Sequence, residues 1–252
     1  MPRASLVDHL ILILGCLAML GPLALALSAG LSPSAMSPLL ADQPYRPTLG
    51  QMLGTSLAIA TGVALVKTAV SFLAAYALSV FRLRHASTIM ALLLLPLFLP
   101  IESRILPTIL ITDALGLLNS YTGLILPVTA TGLGTLILRA QILQMPPEIL
   151  EAARLDGAGP FRALWEIYLP LCLPAIAALL AFFFVLGWNQ YLWPLVASPS
   201  LPDRATVVSG LALLSIGSRP SLALAAVAML PPLVVFVVAQ RWIVRGLAPM
   251  RD

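Results

Sequence analysis

The residues able to do chemistry in this sequence are few, and most of them sit among apolar neighbours. Lys67 lies in the middle of an apolar run from Leu53 to Phe81, 14 residues from either end, which is about 21 Å of helix each way at ~1.5 Å per residue. A central lysine costs about 2.5–3.5 kcal/mol on membrane-insertion scales, so it has to face a cavity or a partner. Two roles fit it: attraction of an anion such as a phosphate ester, or a structural pairing with a carboxylate or with helix carbonyls of another span. Glu102 and Arg104 follow a third apolar run and either gate the outer mouth of a pathway or mark the membrane interface. Asn189 and Gln190 stand some 18 residues into a fifth run, near its outer end, where they either line a pathway or simply belong to the membrane interface. Beside them Trp188, Tyr191 and Trp193 read as an ordinary aromatic belt.

No catalytic set and no metal site emerges. Gly62-Val-Ala-Leu-Val-Lys67-Thr68 has the outline of a phosphate-binding loop but lacks the second glycine and falls inside an apolar run rather than after a strand. No nucleotide-binding loop is therefore expected there. Thr131-Gly-Leu-Gly134 is a lone GxG and is expected to be a helix-packing patch. His9 and His85 lie at span borders and supply no embedded base. Asp156-Gly157 is not followed by the aspartates a metal would need. Cys16 and Cys172, without a CxxC or a neighbouring histidine, read as small hydrophobes.

The elements that must position these residues follow from composition. Of 252 residues, 60% are hydrophobic and 10% charged, with a mean hydropathy of +1.01, where soluble domains carry roughly a quarter charged residues. A soluble enzyme and a disordered chain are both excluded, and an all-α, polytopic membrane protein is expected. Apolar runs near the ~20 residues a spanning helix needs cover Leu10 to Leu27, Leu53 to Phe81, Ala86 to Ile101, Tyr121 to Leu138, Leu171 to Ala197 and Ser221 to Ala239. Six transmembrane helices are predicted, with the stretch from Ile105 to Leu118 interfacial or re-entrant. The first run is expected to be an uncleaved span, because its length exceeds the apolar core of a signal peptide.

Alternate loops divide the arginines unequally. With the N-terminus inside, the inner segments hold Arg3, Arg82, Arg84, Arg139, Arg154, Arg162, Arg241, Arg245 and Arg251, whereas the outer ones hold Arg46, Arg104, Arg204 and Arg219. Both termini are therefore predicted to be cytoplasmic. The formal charge of +4 reflects this topology; no basic cluster suits a nucleic acid. Pro22, Pro96, Pro100, Pro107, Pro127, Pro194, Pro231 and Pro232 lie in or beside spans. They either kink and break those helices, with neighbours re-satisfying the freed carbonyls, or reflect the general frequency of proline in membrane helices.

The inner loop of residues 144–170 is the most informative segment. Pro146-Pro147, then Glu148 and Glu151 in the first turns, then Gly157 as a stop, spell out a short surface helix, and Pro160 starts another. The small Ala152 and Ala153 suit it to being gripped by a soluble partner; equally, it reads as a solvated loop with a Glu151 to Arg154 pair.

Glu151-Ala152-Ala153, Gly157, Ile167 and Leu169-Pro170 stand at the spacing of the EAA signature, and the chain resembles the membrane subunits of binding-protein-dependent ABC importers. That resemblance implies a single permease domain over residues 1–252 with the type I importer fold, in a bacterial inner membrane. It also implies a coupling helix in which Glu151, Ala152, Ala153 and Gly157 dock on an ATP-binding subunit. Implied partners are a second, similar permease subunit, two ATP-binding subunits that carry ATP and Mg, a periplasmic solute-binding protein and membrane lipid. The ending Gln240-Arg-Trp-Ile-Val-Arg245-Gly-Leu resembles the carbohydrate-importer branch. Leu99-Pro-Ile-Glu-Ser-Arg-Ile-Leu-Pro-Thr108, Asn119-Ser-Tyr-Thr-Gly123 and Gly187-Trp-Asn-Gln-Tyr-Leu-Trp-Pro194 resemble, more narrowly, the sn-glycerol-3-phosphate importers. A short first outer loop departs from their pattern.

Transport of sn-glycerol-3-phosphate or a related sugar or polyol is the expected function, by a subunit that is not itself an enzyme. A stand-alone secondary transporter of a small anionic solute is the alternative, although neither a coupling-ion carboxylate within a full span nor two-fold internal symmetry is found. A lipid-processing enzyme is the third, and it lacks a convergent catalytic set.

Overall fold

A computed structural model describes residues 6–42, 46–81, 83–130, 132–199 and 204–247. Among them there are helices and connecting loops and no β-strand. Four helices are long and apolar enough to cross a membrane: α1 (Leu6–Gly30), α3 (Leu49–Val80), the continuous run Pro160–Trp188 containing α10 (Leu169–Trp188), and α12 (Arg219–Leu247). The count reaches six only if each of two bent pairs serves as one span. One pair is α4 (Ala86–Leu94), prolonged by a 3₁₀ turn to Phe98, with α5 (Ile101–Ala114), bent by 108°; the other is α6 (Tyr121–Thr129) with α7 (Gly132–Leu143), bent by 51°. The predicted third span is thus only the first arm of a hairpin-like break, with Pro96 inside the 3₁₀ turn and Pro100 capping α5. The segment expected to be interfacial or re-entrant forms its second arm.

Boundaries move for local reasons. The second span starts at Leu49 rather than Leu53 because Thr48 and Gln51 form a capping box: the Thr48 side chain accepts from the Gln51 amide, and the Gln51 side chain accepts from the Thr48 amide at 2.8 Å. The fifth ends at Trp188 and resumes as the short α11 (Leu192–Ala197). Pro194 is the cause, since a helix continuing through it would clash with the carbonyl four residues back, while in the first turn of α11 its missing N–H costs nothing.

Helix α3 is the central post, packed on α6, α7 and α10, while α12 packs on α10 and on the short α2 (Pro33–Leu40), and α1 packs on α12. Close approach there depends on small side chains. A Cβ on Gly134 of α7 would stand 2.9 Å from the Phe183 ring and 2.9 Å from Ser71 Cβ of α3, so the expected packing role of the Gly132-Leu-Gly134 patch is what the structure shows; Thr131 lies outside the described residues. Of the cysteines, Cys172 is buried in the apolar core and Cys16 is exposed on α1.

The prolines divide into two groups. Pro22, Pro107, Pro231 and Pro232 lie within continuous helices, whereas Pro96, Pro100, Pro127 and Pro194 stand at or near breaks. Two freed carbonyls are re-satisfied by neighbours. Pro127 has no N–H for the Gly123 carbonyl, which accepts instead from the Trp193 indole at 3.3 Å; Pro232 has none for Ala228, which accepts from the Trp188 indole at 2.9 Å. Both tryptophans are buried, 5% and 0% exposed. The aromatic-belt reading is therefore corrected for them, and only Tyr191 is exposed.

Candidate functional site

The loop of residues 144–170 folds as the sequence predicts: α8 covers Pro147–Leu155, and α9 (Pro160–Ala163) starts at the next proline. Between them Gly157 adopts φ +73°, the left-handed conformation that a Cβ disfavours. The Ala158 amide then closes back on the Ala153 carbonyl at 2.9 Å, as in a Schellman stop. Gly157 thereby ends α8 and aims the chain back toward the bundle. Glu151 and Ala152 are exposed and Ala153 is half-buried. Leu155 and Phe161, on either side of Gly157, are 89% and 81% exposed. The Arg154 side chain, the expected partner of Glu151, lies outside the described residues, as do Arg3, Arg82 and Arg251. An unforeseen exposed pair, Arg162 Nε to Glu166 at 2.7 Å, decorates α9.

The loop is seated on the bundle through a cavity of about 260 Å³ lined by Tyr76, Val80, Ala153, Ala163, Ile167 and Tyr168, among others. Two positions of the signature, Ala153 and Ile167, thus face the same space. Tyr76 was not singled out from the sequence, where it reads as one more member of an apolar run; a hydroxyl near the end of a span was the available signal.

In the bundle, Lys67 Nζ donates to the Val128 carbonyl at 3.1 Å and stands 5.0 Å from the Phe183 ring centroid. Val128 precedes the 51° break between α6 and α7, and the turn that would have used its carbonyl is missing. That contact is a pairing with a helix carbonyl of another span, one of the two roles open to Lys67. Arg104 stands in the first turns of α5, and its Nε is buried with no hydrogen-bond partner. Glu102 is exposed on the same turn. Asn189 caps the end of α10 and is exposed, and the neighbouring Gln190 has a buried Oε1 with no partner. These amides lie six and seven residues beyond Phe183, roughly 10 Å along the chain at ~1.5 Å per residue. Lys67 therefore marks a seam where α3, α6 and α10 meet, and Asn189 and Gln190 lie beyond it, past the end of α10. Among the described residues no group of three metal-ligating side chains occurs.

A helical membrane bundle with a signature loop helix projecting from it defines a class. The family model for the inner membrane component of binding-protein-dependent transport systems matches residues 67–249, and the chain belongs to that family. It is an inner-membrane permease subunit rather than an enzyme, and the family is one of multi-component systems, not of stand-alone transporters. Particular relatives are the sn-glycerol-3-phosphate transport system permease proteins UgpE. That of Yersinia pestis bv. Antiqua is 42% identical over 204 residues, covering 79% of this chain and 72% of the relative. That of Agrobacterium fabrum is 39% identical over 206 residues, covering 79% and 73%. That of Brucella melitensis biotype 1 is 34% identical over 273 aligned positions, covering 98% and 96%. The fold is that of a chain in a bacterial ABC transporter involved in the import of the acidic polysaccharide alginate, with a TM-score of 0.79 at 19% identity, covering 96% of this chain and 99% of that one. A second structure of the alginate transporter, in complex with its pentasaccharide-bound periplasmic protein, gives 0.67 at 18% identity, covering 95% and 91%.

Proposed function

We propose that the chain is a membrane subunit of an ATP-driven importer of sn-glycerol-3-phosphate or a closely related sugar or polyol solute. It pairs with a second, similar permease subunit, rests on two ATP-binding subunits that hold the ATP and Mg, and receives solute from a periplasmic binding protein. The observation that carries this reading is the 34–42% identity to glycerol-3-phosphate permeases over most of their length. Both termini and the 144–170 loop face the cytoplasm, a placement supported by the arginine asymmetry.

The chemistry of the site agrees with an anionic solute. Lys67 carries a positive charge into the bundle, and Arg104 keeps an unused donor. A phosphate monoester offers charge and acceptor oxygens to such a group. Asn189 and Gln190 lie further along and suit hydroxyls. Exposed Glu151 and Ala152, with Leu155 and Phe161 on either side of Gly157, dock on an ATP-binding subunit, whose closure moves α8. Transport requires that the closed, ATP-bound arrangement favour one opening of the pathway over the other.

The test uses complex purified gently from its native membrane. ATP hydrolysis is measured with binding protein loaded with glycerol-3-phosphate or, separately, presented with maltose. Stimulation by glycerol-3-phosphate alone is expected. Co-purification without any ATP-binding subunit, under conditions that hold known complexes together, would sink the importer reading; stimulation by maltose alone would move the substrate to neutral sugars.

A further inference from the structure

We infer that Tyr76 is a positioning residue through which movement of α8 reaches α3 and the Lys67 seam. The inference rests on the proposed docking of α8. Tyr76 lies in the penultimate turn of α3 and is 5% exposed, yet its hydroxyl donates to the Pro160 carbonyl at 2.7 Å, at the first residue of α9. Its ring is held edge-on by Phe81, with centroids 5.8 Å apart, and by Tyr168, at 5.0 Å. A phenol gripped on two sides has little freedom to follow Pro160 without taking α3 with it.

The cavity beside it makes this contact matter. Ala153, Ala158 and Ala163 line the space of about 260 Å³ between the loop and the end of α3, so the side-chain packing that transmits displacement in protein interiors is interrupted there. Ala163 and Leu164 still pack in one apolar cluster with Tyr76 and Val80, and the Tyr76 hydrogen bond adds a directional tie to that contact. Leu164–Tyr168, which carries the Tyr168 ring of the cage, forms a π-helical turn, an irregularity frequent at functional sites.

Beyond Tyr76 the path is stiff. Helix α3 contains no proline, and Lys67 lies nine residues back along it, roughly 13 Å at ~1.5 Å per residue. Lys67 touches α6 through Val128 and α10 through Phe183. A shift of Pro160 relative to the bundle is thus delivered to the place where α3, α6 and α10 meet.

The experiment compares the wild-type complex with Tyr76→Phe, reconstituted in vesicles with the second permease subunit, the ATP-binding subunits and the binding protein, and reads solute molecules imported per ATP hydrolysed. The ratio is expected to fall about fivefold, within the range seen for residues that modulate coupling without touching a ligand. A cavity-filling Ala163→Leu added to Tyr76→Phe provides an alternative contact and is expected to restore part of the ratio. A ratio within twofold of wild type overturns the inference, as does a parallel fall of import and hydrolysis, or loss of assembly, each of which gives the hydroxyl a merely structural role. Glu151→Lys, run alongside, separates the two levels: if it too leaves import unchanged, the docking of α8 fails; if it uncouples while Tyr76→Phe does not, only Tyr76 loses its part.

Discussion

Lys67 and Arg104 carry the same charge and differ in what they have left to offer. Lys67 gives its donor to Val128 and its charge to the face of Phe183, so Lys67→Met strips a half-buried carbonyl of its partner. A loss of about 1–3 kcal/mol follows from such an orphaned group, readable as a lower unfolding midpoint of the detergent-solubilised subunit. An unchanged midpoint would mean that Val128 finds water instead. Arg104 retains an unpartnered Nε, and Arg104→Gln is expected to raise the KM for glycerol-3-phosphate about tenfold, the scale of one charge-assisted hydrogen bond, with a smaller change for a neutral analogue. Equal changes for the two solutes would remove Arg104 from the pathway. On the loop, Glu151→Lys should abolish ATP-driven uptake while the chain still inserts, and wild-type uptake would refute the docking role. The sequence showed that Lys67 needed a partner, because its depth could be counted in residues. It did not show which one, because the Val128 carbonyl is freed by a bend between two helices that read as a single run.

At the scale of elements, the tryptophans and prolines are paired across helices. Trp188 serves the carbonyl that Pro232 leaves unused, and this arrangement predicts a double-mutant cycle. Trp188→Phe alone should destabilise by about 1–3 kcal/mol through the orphaned Ala228 carbonyl, measured by thermal unfolding in detergent. In a Pro232→Ala background, where the backbone can make its own bond, the same change should cost distinctly less. Equal costs in both backgrounds would show that the indole contributes by packing alone. The loop helix was legible from its opening prolines, its acids and Gly157, since all three act within one turn. The breaks after Phe98 and Trp188 were less so: an apolar run reports burial or lipid contact but not continuity, and hydropathy is blind to a helix that turns by 108° between Phe98 and Glu102.

The whole molecule is organised around one post, with α3 touching the helices that precede and follow the 144–170 loop. Composition and hydropathy sufficed for the class, because a chain with 10% charged residues has few ways to be folded outside a bilayer. Single cysteines placed at Ser87, near the start of α4, and at Asp156, just past α8, should both react with a membrane-impermeant thiol reagent from the cytoplasmic side of inverted vesicles, and one at Ser215 only from the other. Labelling of Asp156→Cys from the periplasm would overturn the orientation and with it the docking of α8.

The packing order also sets a timetable. Every residue of α1 from Val7 to Leu20 is exposed, and its long-range neighbour is α12, reached only when the chain has been made as far as Arg219. At ~5–20 residues per second that interval is roughly 10–40 s. Throughout it α1 has to persist as a solitary span surrounded by lipid, and between Leu10 and Leu27 it carries no charge that would need a companion. Lys67 faces the opposite situation: it is synthesised some 60 residues ahead of Val128 and over a hundred ahead of Phe183, so the insertion machinery must shelter an unneutralised lysine until its partners emerge. Assembly of this subunit is therefore most exposed to error in that window, and the burden falls on whatever holds α3 before its neighbours arrive.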